Sequence, residues 1–389
     1  MKVFSFLFRL AGVACLLGTQ AVLAEDEIKV GVTVSLTGKY AEKGQDQHQG
    51  LQMWANDLNA RGALLGKKVR VVHYDDKSDR QTSARLYERL ITKDKVDLLI
   101  GPYSSGLTLA ASDVAERHNF PMVAAGAASD KIWERGYKNI FGIETPATRY
   151  MNLLVGFAKE QGLSRIALFY AGTEFPRDVA AGVRARASEL GLEIVFDEEY
   201  PKNSTGFARL IERIRSSNAD IVIGGTYFDD SVAFVRQAKE LNLRPKAFVF
   251  TVGPALAEFG EALGSDAEGI LGVVQWIRSD GLPGGYDFSF RYKALYGRNP
   301  GHHVAYGYGA GQVLEAAVRL AGSVDRDRVR GQLAEMKFRS LLGHYRVDET
   351  GKQIANETRV IQWQDGRRRL ILPERMAERP VRLPMRAPE

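Results

Sequence analysis

The sequence predicts an α/β protein in which two parallel sheets form separate lobes, and three observations carry that expectation. Its 389 residues exceed the ~250–300 at which a single core usually stops growing. Short apolar, β-branched runs alternate with helix-period segments along most of the chain, the pattern of parallel strands buried on both faces. That alternation restarts with a fresh helix near "FGIETPATRY" (141–150) and breaks again at the Gly/Pro-rich "GVVQWIRSDGLPGGYD" (272–287), so several crossings between lobes are expected.

Taken in order, the first 24 residues stand apart. Lys2 and Arg9 precede the apolar "LAGVACLLGT", and Val22 and Ala24 occupy small-residue cleavage positions. This predicts a secretory signal peptide removed after Ala24 and a soluble, exported mature protein. The single cysteine, Cys15, falls inside it, so the mature chain has no thiol for a disulfide, a metal or nucleophilic catalysis. "GVAC" fits a lipid-anchor signal poorly, because Gly12 stands where a leucine is usual.

The strand "IKVGVTVSL" leads to a helix over 44–61 with Leu51, Trp54, Ala55 and Leu58 on one face. The same unit repeats as "KKVRVVHYDD" with 79–95, "VDLLIG" with 105–118 and "FPMVAAG" with 128–136. It continues as "SRIALFY" with 175–190, "LEIVFDEEY" with 205–217, "ADIVIGG" with 229–242 and "AFVFTVG" with 254–263. A mainly helical stretch, 285–336, has to pack back on the first sheet, and "ETRVIQW" ends the pattern as a strand. The expected division is 27–142 plus 276–339 for one lobe, 143–275 plus 340–372 for the other, and a basic, flexible tail over 373–389.

Composition excludes some functions. With 45% hydrophobic and 26% charged residues the chain is ordinary globular material. Of the net charge of +6, two units leave with the signal and the remaining four lie in the arginine-rich segment 367–389, so the body is neutral. A nucleic-acid partner would need that charge on the folded body, interleaved with stacking aromatics, and none is expected.

Candidate chemistry centres on "LIGPYSSGLTLAAS" (99–112). Gly101 and Pro102 close a strand, and Ser104 or Ser105 then falls at a helix N-cap. Free N–H groups and the positive end of the helix dipole favour an anion there, although this stretch alone fits a plain capping serine with no ligand better. "PYSSG" lacks the first glycine of a nucleophile elbow, and "SLTGKYAEKG" has neither dinucleotide nor P-loop spacing. None of the six histidines has metal-ligand spacing, and the pair His302–His303 should diverge on a helix; no cofactor or metal is expected. Asp75 and Asp76 at a strand end suit turn capping.

Three segments together, "IKVGVTVSLTGKYAEKG", "DLLIGPYSSGLTLAASDVAERHNFPMVAAGAASDKIW" and "ADIVIGGTYFDDSVAFVRQAKELNL", resemble the type I periplasmic solute-binding proteins of branched-chain amino-acid ABC transporters, the Leu/Ile/Val-binding group. The likeness spans nearly all of 27–366. It implies two doubly wound lobes joined by a multi-crossing hinge, a small-molecule ligand in the cleft between them, and a membrane ABC permease as partner. Ser105, beside Ser104, matches the serine that grips a ligand carboxylate. Gly126 and Ala127 match backbone contacts, with Ala128 in place of a usual threonine and Ser129 one position on. Tyr227 matches a second-lobe tyrosine, Phe175 stands for another without its hydroxyl, and Tyr40 and Lys43 lie in the first ligand-touching loop.

One departure is chemical. Where the family's amino-acid binders place an acid for the ligand's ammonium, this chain has Thr251 and Val252. Either Glu174, Asp229 or Asp230 replaces it, or the ligand is a small carboxylate or amide rather than an α-amino acid. A soluble sensor of the same fold and an exported serine hydrolase are the rival readings; loss of Ser105 would abolish turnover in the second but only weaken a binder.

Overall fold

The computed structural model describes residues 27–384 other than Asn203 and Asp280; the expected signal peptide, Cys15 and the last five residues lie outside them. The first unit runs β1 (Ile28–Val34), α1 (Ala41–Ala60), β2 (Val69–Asp75), α2 (Arg80–Thr92), β3 (Leu98–Ile100), α3 (Ser105–Arg117), β4 (Met122–Ala124) and β5 (Ile140–Gly142). Its five strands pair in parallel in the order β2-β1-β3-β4-β5. β-branched and leucine side chains such as Val30, Val32, Leu98 and Ile100 fill the sheet interior and are essentially inaccessible to water.

The second unit continues with α4 (Asn152–Glu160), β6 (Arg165–Ala171), α5 (Glu174–Leu190), β7 (Glu193–Tyr200), α6 (Ala208–Ser216), β8 (Ile221–Gly225), α7 (Phe228–Glu240), β9 (Ala247–Phe250), α8 (Glu258–Leu263) and β10 (Leu271–Val274). The chain then returns to the first sheet as α9 (Gly285–Tyr296), α10 (His302–Ala321) and α11 (Arg326–Glu335), makes the hairpin β11 (Phe338–Ser340) and β12 (Gly343–Tyr345), and goes back to the second sheet as β13 (Arg359–Gln364) and β14 (Arg367–Leu372). The second sheet has the order β14-β13-β10-β9-β8-β6-β7. It is a doubly wound α/β layer like the first, except that β13 runs antiparallel to both β10 and β14.

α10 can lie against α1 because glycines stand at the contact. A Cβ on Gly50 would sit 1.9 Å from the Val304 carbonyl oxygen, and one on Gly307 equally close to the Gln47 carbonyl. Trp54 of α1 donates from Nε1 to Glu315 of α10 at 3.1 Å. This contact fixes the first turn of α10 at the edge of the interlobe cleft.

Three stretches cross between the sheets and are tied to one another. Gln275 accepts the Thr145 N–H at 2.9 Å and donates to its carbonyl at 3.0 Å. Arg149 donates to the Ile354 carbonyl at 3.2 Å, and Gly351 accepts the Gly142 N–H at 2.9 Å.

Two expectations change. The helix expected over 128–136 is only a single 3-10 turn, Asp130–Ile132, and the amides leading into it are held by the side chains of Glu144, Ser105 and Asp178. The arginine-rich segment expected as a solvated tail makes specific contacts as far as it is described. β13 and β14 form a hairpin through Asp365 and Gly366, with φ 56° and 69°, the geometry of a two-residue Asp-Gly turn. Leu370, Ile371 and Leu372 are buried, Gln362 accepts the Arg382 N–H at 2.9 Å, and Val381 and Leu383 pack on the second sheet's core.

Candidate functional site

The site begins where β3 ends. Ser104 is the N-cap of α3, with its Oγ accepting the Leu107 N–H at 3.4 Å. Its φ of 85° lies in a region uncommon for residues other than glycine, and its N–H is held by the Gly126 carbonyl at 3.0 Å. This turn brings the first turn of α3 into the cleft. Ser105 Oγ accepts the Ser129 N–H at 3.1 Å, which leaves its own hydrogen free to donate.

Facing it is the turn after β4. Gly126, with φ 74°, and Ala127 both direct their N–H groups at one oxygen, Oε1 of Glu144, the second at 3.1 Å. Glu144 is 4% exposed and sits on the first crossing between the sheets. Burial pushes its carboxyl up to about 8 against the opposing pull of the two N–H groups. Ser129 donates to Asp178 of α5, which also accepts the Asp130 N–H at 3.0 Å, so this turn is tied to the second lobe as well.

These elements enclose a cavity of about 50 Å³. From the first sheet and its covering helix come Ser104, Ser105, Gly126, Ala128, Tyr103 and Tyr306; from the second lobe come Tyr150, Phe175, Tyr227 and Val252; Glu144 and the two histidines complete the wall. Tyr150 and Phe175 meet edge to face with centroids 5.3 Å apart. The Tyr227 hydroxyl pairs with Thr173 Oγ1 at 3.1 Å. His302 and His303, expected to diverge, lie with ring centroids 4.0 Å apart, because first-turn side chains lean toward the helix N-terminus, where the cavity is. Burial pushes His302 down to about 3 and His303 well below its ordinary value, so both are neutral at pH 7.

A wider volume of about 410 Å³ shares Ser104, Ser105, Phe175 and Tyr227 and forms the mouth, with Tyr40, Lys39, Arg80, Glu174 and Lys202 around it. Arg80 of α2 pairs with Glu174 of α5 across the mouth at 2.5 Å. Lys43 lines neither volume: its ammonium pairs with Glu42 at 2.5 Å and lies 5.7 Å from the Phe228 ring centroid. Ala127, Ser129 and Thr251 stand behind the wall, and Thr251 Oγ1 is engaged with the Thr226 N–H at 3.0 Å and its carbonyl at 2.5 Å.

The three acids weighed as substitutes at the Thr251–Val252 departure are placed elsewhere. Glu174 is at the mouth. Asp229 is exposed, and Asp230 accepts the Tyr200 hydroxyl at 2.6 Å and the Tyr227 N–H at 3.4 Å, capping α7. Glu144 is the acid that lines the inner cavity, and the residue reading passed over it. Its signal was an acid inside "IFGIETP" with no basic neighbour. Asp75 and Asp76 accept the N–H groups of Lys77 and Ser78, both at 2.9 Å, as turn caps. Among the described residues no group of three or more His, Cys, Asp or Glu is placed to hold a metal ion, and no helix is long and apolar enough to cross a membrane.

Two α/β lobes, three crossings and a small enclosed cavity between them define a bilobal solute-binding architecture. Residues 27–368 match the family described as periplasmic binding protein, and the chain belongs to it. It is 28% identical over 392 residues to a Leu/Ile/Val-binding protein homolog of Brucella suis, covering 96% of this chain and 98% of the relative. Among solved structures it superposes on a leucine-binding protein from Thermotoga maritima with a TM-score of 0.81 at 24% identity, covering 90% and 99% of the two chains. A solute-binding protein of an ABC transporter from Rhodopseudomonas palustris, solved with benzoate, gives a TM-score of 0.77 at 20% identity, covering 92% and 96%.

Proposed function

We propose that this chain is exported, loses residues 1–24, captures one small solute between the lobes 27–142 with 276–339 and 143–275 with 340–372, and hands it to a membrane ABC permease. The observation that carries this is the make-up of the inner cavity. Ser105 and Ala128 come from one side and Phe175 and Tyr227 from the other, so a ligand that touches both sets stabilises the closed arrangement. At about 50 Å³ the cavity holds only a few water-sized groups, so a larger solute needs room that relative movement of the lobes can supply.

The ligand is a small amino-acid-like molecule, carboxylate or amide, in keeping with the leucine-type names and the benzoate complex among the relatives. The Ser105 hydroxyl and the first turn of α3 form the seat for an anionic or carbonyl end. Catalysis is not part of this reading, because Ser105 Oγ is bonded to a backbone N–H rather than to a base. A thermal-shift screen of residues 25–389 against amino acids, carboxylates and amides tests it. A ligand at 100 times its dissociation constant adds ~2.7 kcal/mol, and failure of every small solute to stabilise the protein, or turnover of any of them, overturns the proposal.

A further inference from the structure

The inner cavity has one acid and no permanent cation. Glu144 lines it, 4% exposed, while no lysine or arginine does. Among the described residues its carboxyl meets no cation; the groups that act on it are the N–H groups of Gly126 and Ala127, and both are aimed at Oε1. Among the described residues Oε2 has no hydrogen-bond partner. Tyr103, Tyr150 and Tyr306 lie close enough to feel its charge, and with Phe175 and Tyr227 they make the same cavity aromatic, a setting in which rings attract a cation. A buried carboxyl with one free oxygen among aromatic faces is the setting in which a positive charge on a ligand gains most, because the desolvation of both partners is then compensated by a direct pair.

Its placement also fits a second ligand group. Glu144 Oε1 and Ser105 Oγ accept from the Ala127 and Ser129 amides, two residues apart and so within about 7 Å along the chain. Resting on the solute-binding reading above, we propose that Glu144 receives a protonated nitrogen of the solute, making the ligand a small amine-bearing molecule whose other polar end is held at Ser105. Glu144 thereby takes, from the first crossing between the lobes, the part left vacant at Thr251–Val252.

The test is a matched panel at pH 7, read by thermal shift and then by calorimetry: leucine, isovalerate and isopentylamine; phenylalanine, benzoate and benzylamine; and the corresponding amides. The expected result is stabilisation of the native sequence only by members carrying a protonated nitrogen, with Kd raised at least tenfold in Glu144→Gln. The glutamine carboxamide oxygen still accepts the Gly126 and Ala127 N–H groups, so a purely structural role predicts affinity within threefold of native, and that result overturns the inference. Stabilisation by carboxylates or amides but by no ammonium-bearing probe overturns it on the native protein alone, whether or not the variant folds, and leaves the solute-binding reading standing. No stabilisation by any member overturns both.

Discussion

The inner cavity and its mouth share four residues and differ in almost everything else. The inner wall is made chiefly of rings, two neutral histidines and one acid; Glu144, the histidines, Tyr103, Tyr150 and Tyr306 are buried, while Phe175 and Tyr227 are half-buried. The mouth collects Lys39, Arg80, Glu174 and Lys202 at the edge of solvent. At the mouth Arg80 and Glu174 pair near solvent, where charges are screened, whereas the buried polar atoms inside have little water as a competitor; on the proposed reading, ligand choice is therefore made inside.

The sharpest way to break this contrast is Tyr227→Ala. It removes a second-lobe ring from the inner wall and is expected to weaken solute binding by ~2–3 kcal/mol, measured by calorimetry on whichever probe the screen yields. Next is the pH dependence of the ligand-free protein. Glu144 is raised from 4.5 to about 8 on folding, so it stays protonated in the fold while the unfolded carboxyl ionises, and stability falls as pH rises between those values. His302 and His48, lowered to about 3 and about 4, act in the opposite sense and are complete above their unfolded value of 6.5. Between pH 6.5 and 8 the native protein should therefore lose ~2 kcal/mol relative to Glu144→Gln, read as the difference between their denaturation curves. An equal slope in both proteins would contradict the assignment.

Ser105→Ala should cost ~1–1.5 kcal/mol of affinity. The smallest effect belongs to the mouth. In the Arg80–Glu174 pair the arginine side chain is 54% exposed, so Arg80→Ala should change affinity by ~0.5 kcal/mol or less, and the change should shrink as salt is raised. An effect of Arg80→Ala larger than that of Tyr227→Ala would reverse the division of labour between the two regions.

The alternation of apolar strand and helix made the architecture legible, because it is written in local periodicity and each run predicts its own element. Ser104 and Ser105 were legible too, since Gly-Pro followed by Ser-Ser marks a strand end and a cap within a few residues. Glu144 was not: its meaning depends on amides that lie 17 and 18 positions earlier, and no local pattern brings them together. The β13–β14 hairpin had a local signal, "QDGRRRL", but the arginines around Asp-Gly masked it as solvated charge.

The return of α10 to the first sheet and of β13 and β14 to the second has a bearing on how the chain reaches its native state. The first sheet has all its strands by residue 142, yet the helix that covers α1 arrives only at residue 302, and the second sheet waits for residue 372. The cover over α1 and the completed second sheet therefore wait for the last part of the chain, and contacts of such long sequence separation form slowly. The cluster around Trp133 and Tyr87 needs only residues 72–140, so the two ends of synthesis differ: an early, locally built core is present long before the covering pieces that finish each half.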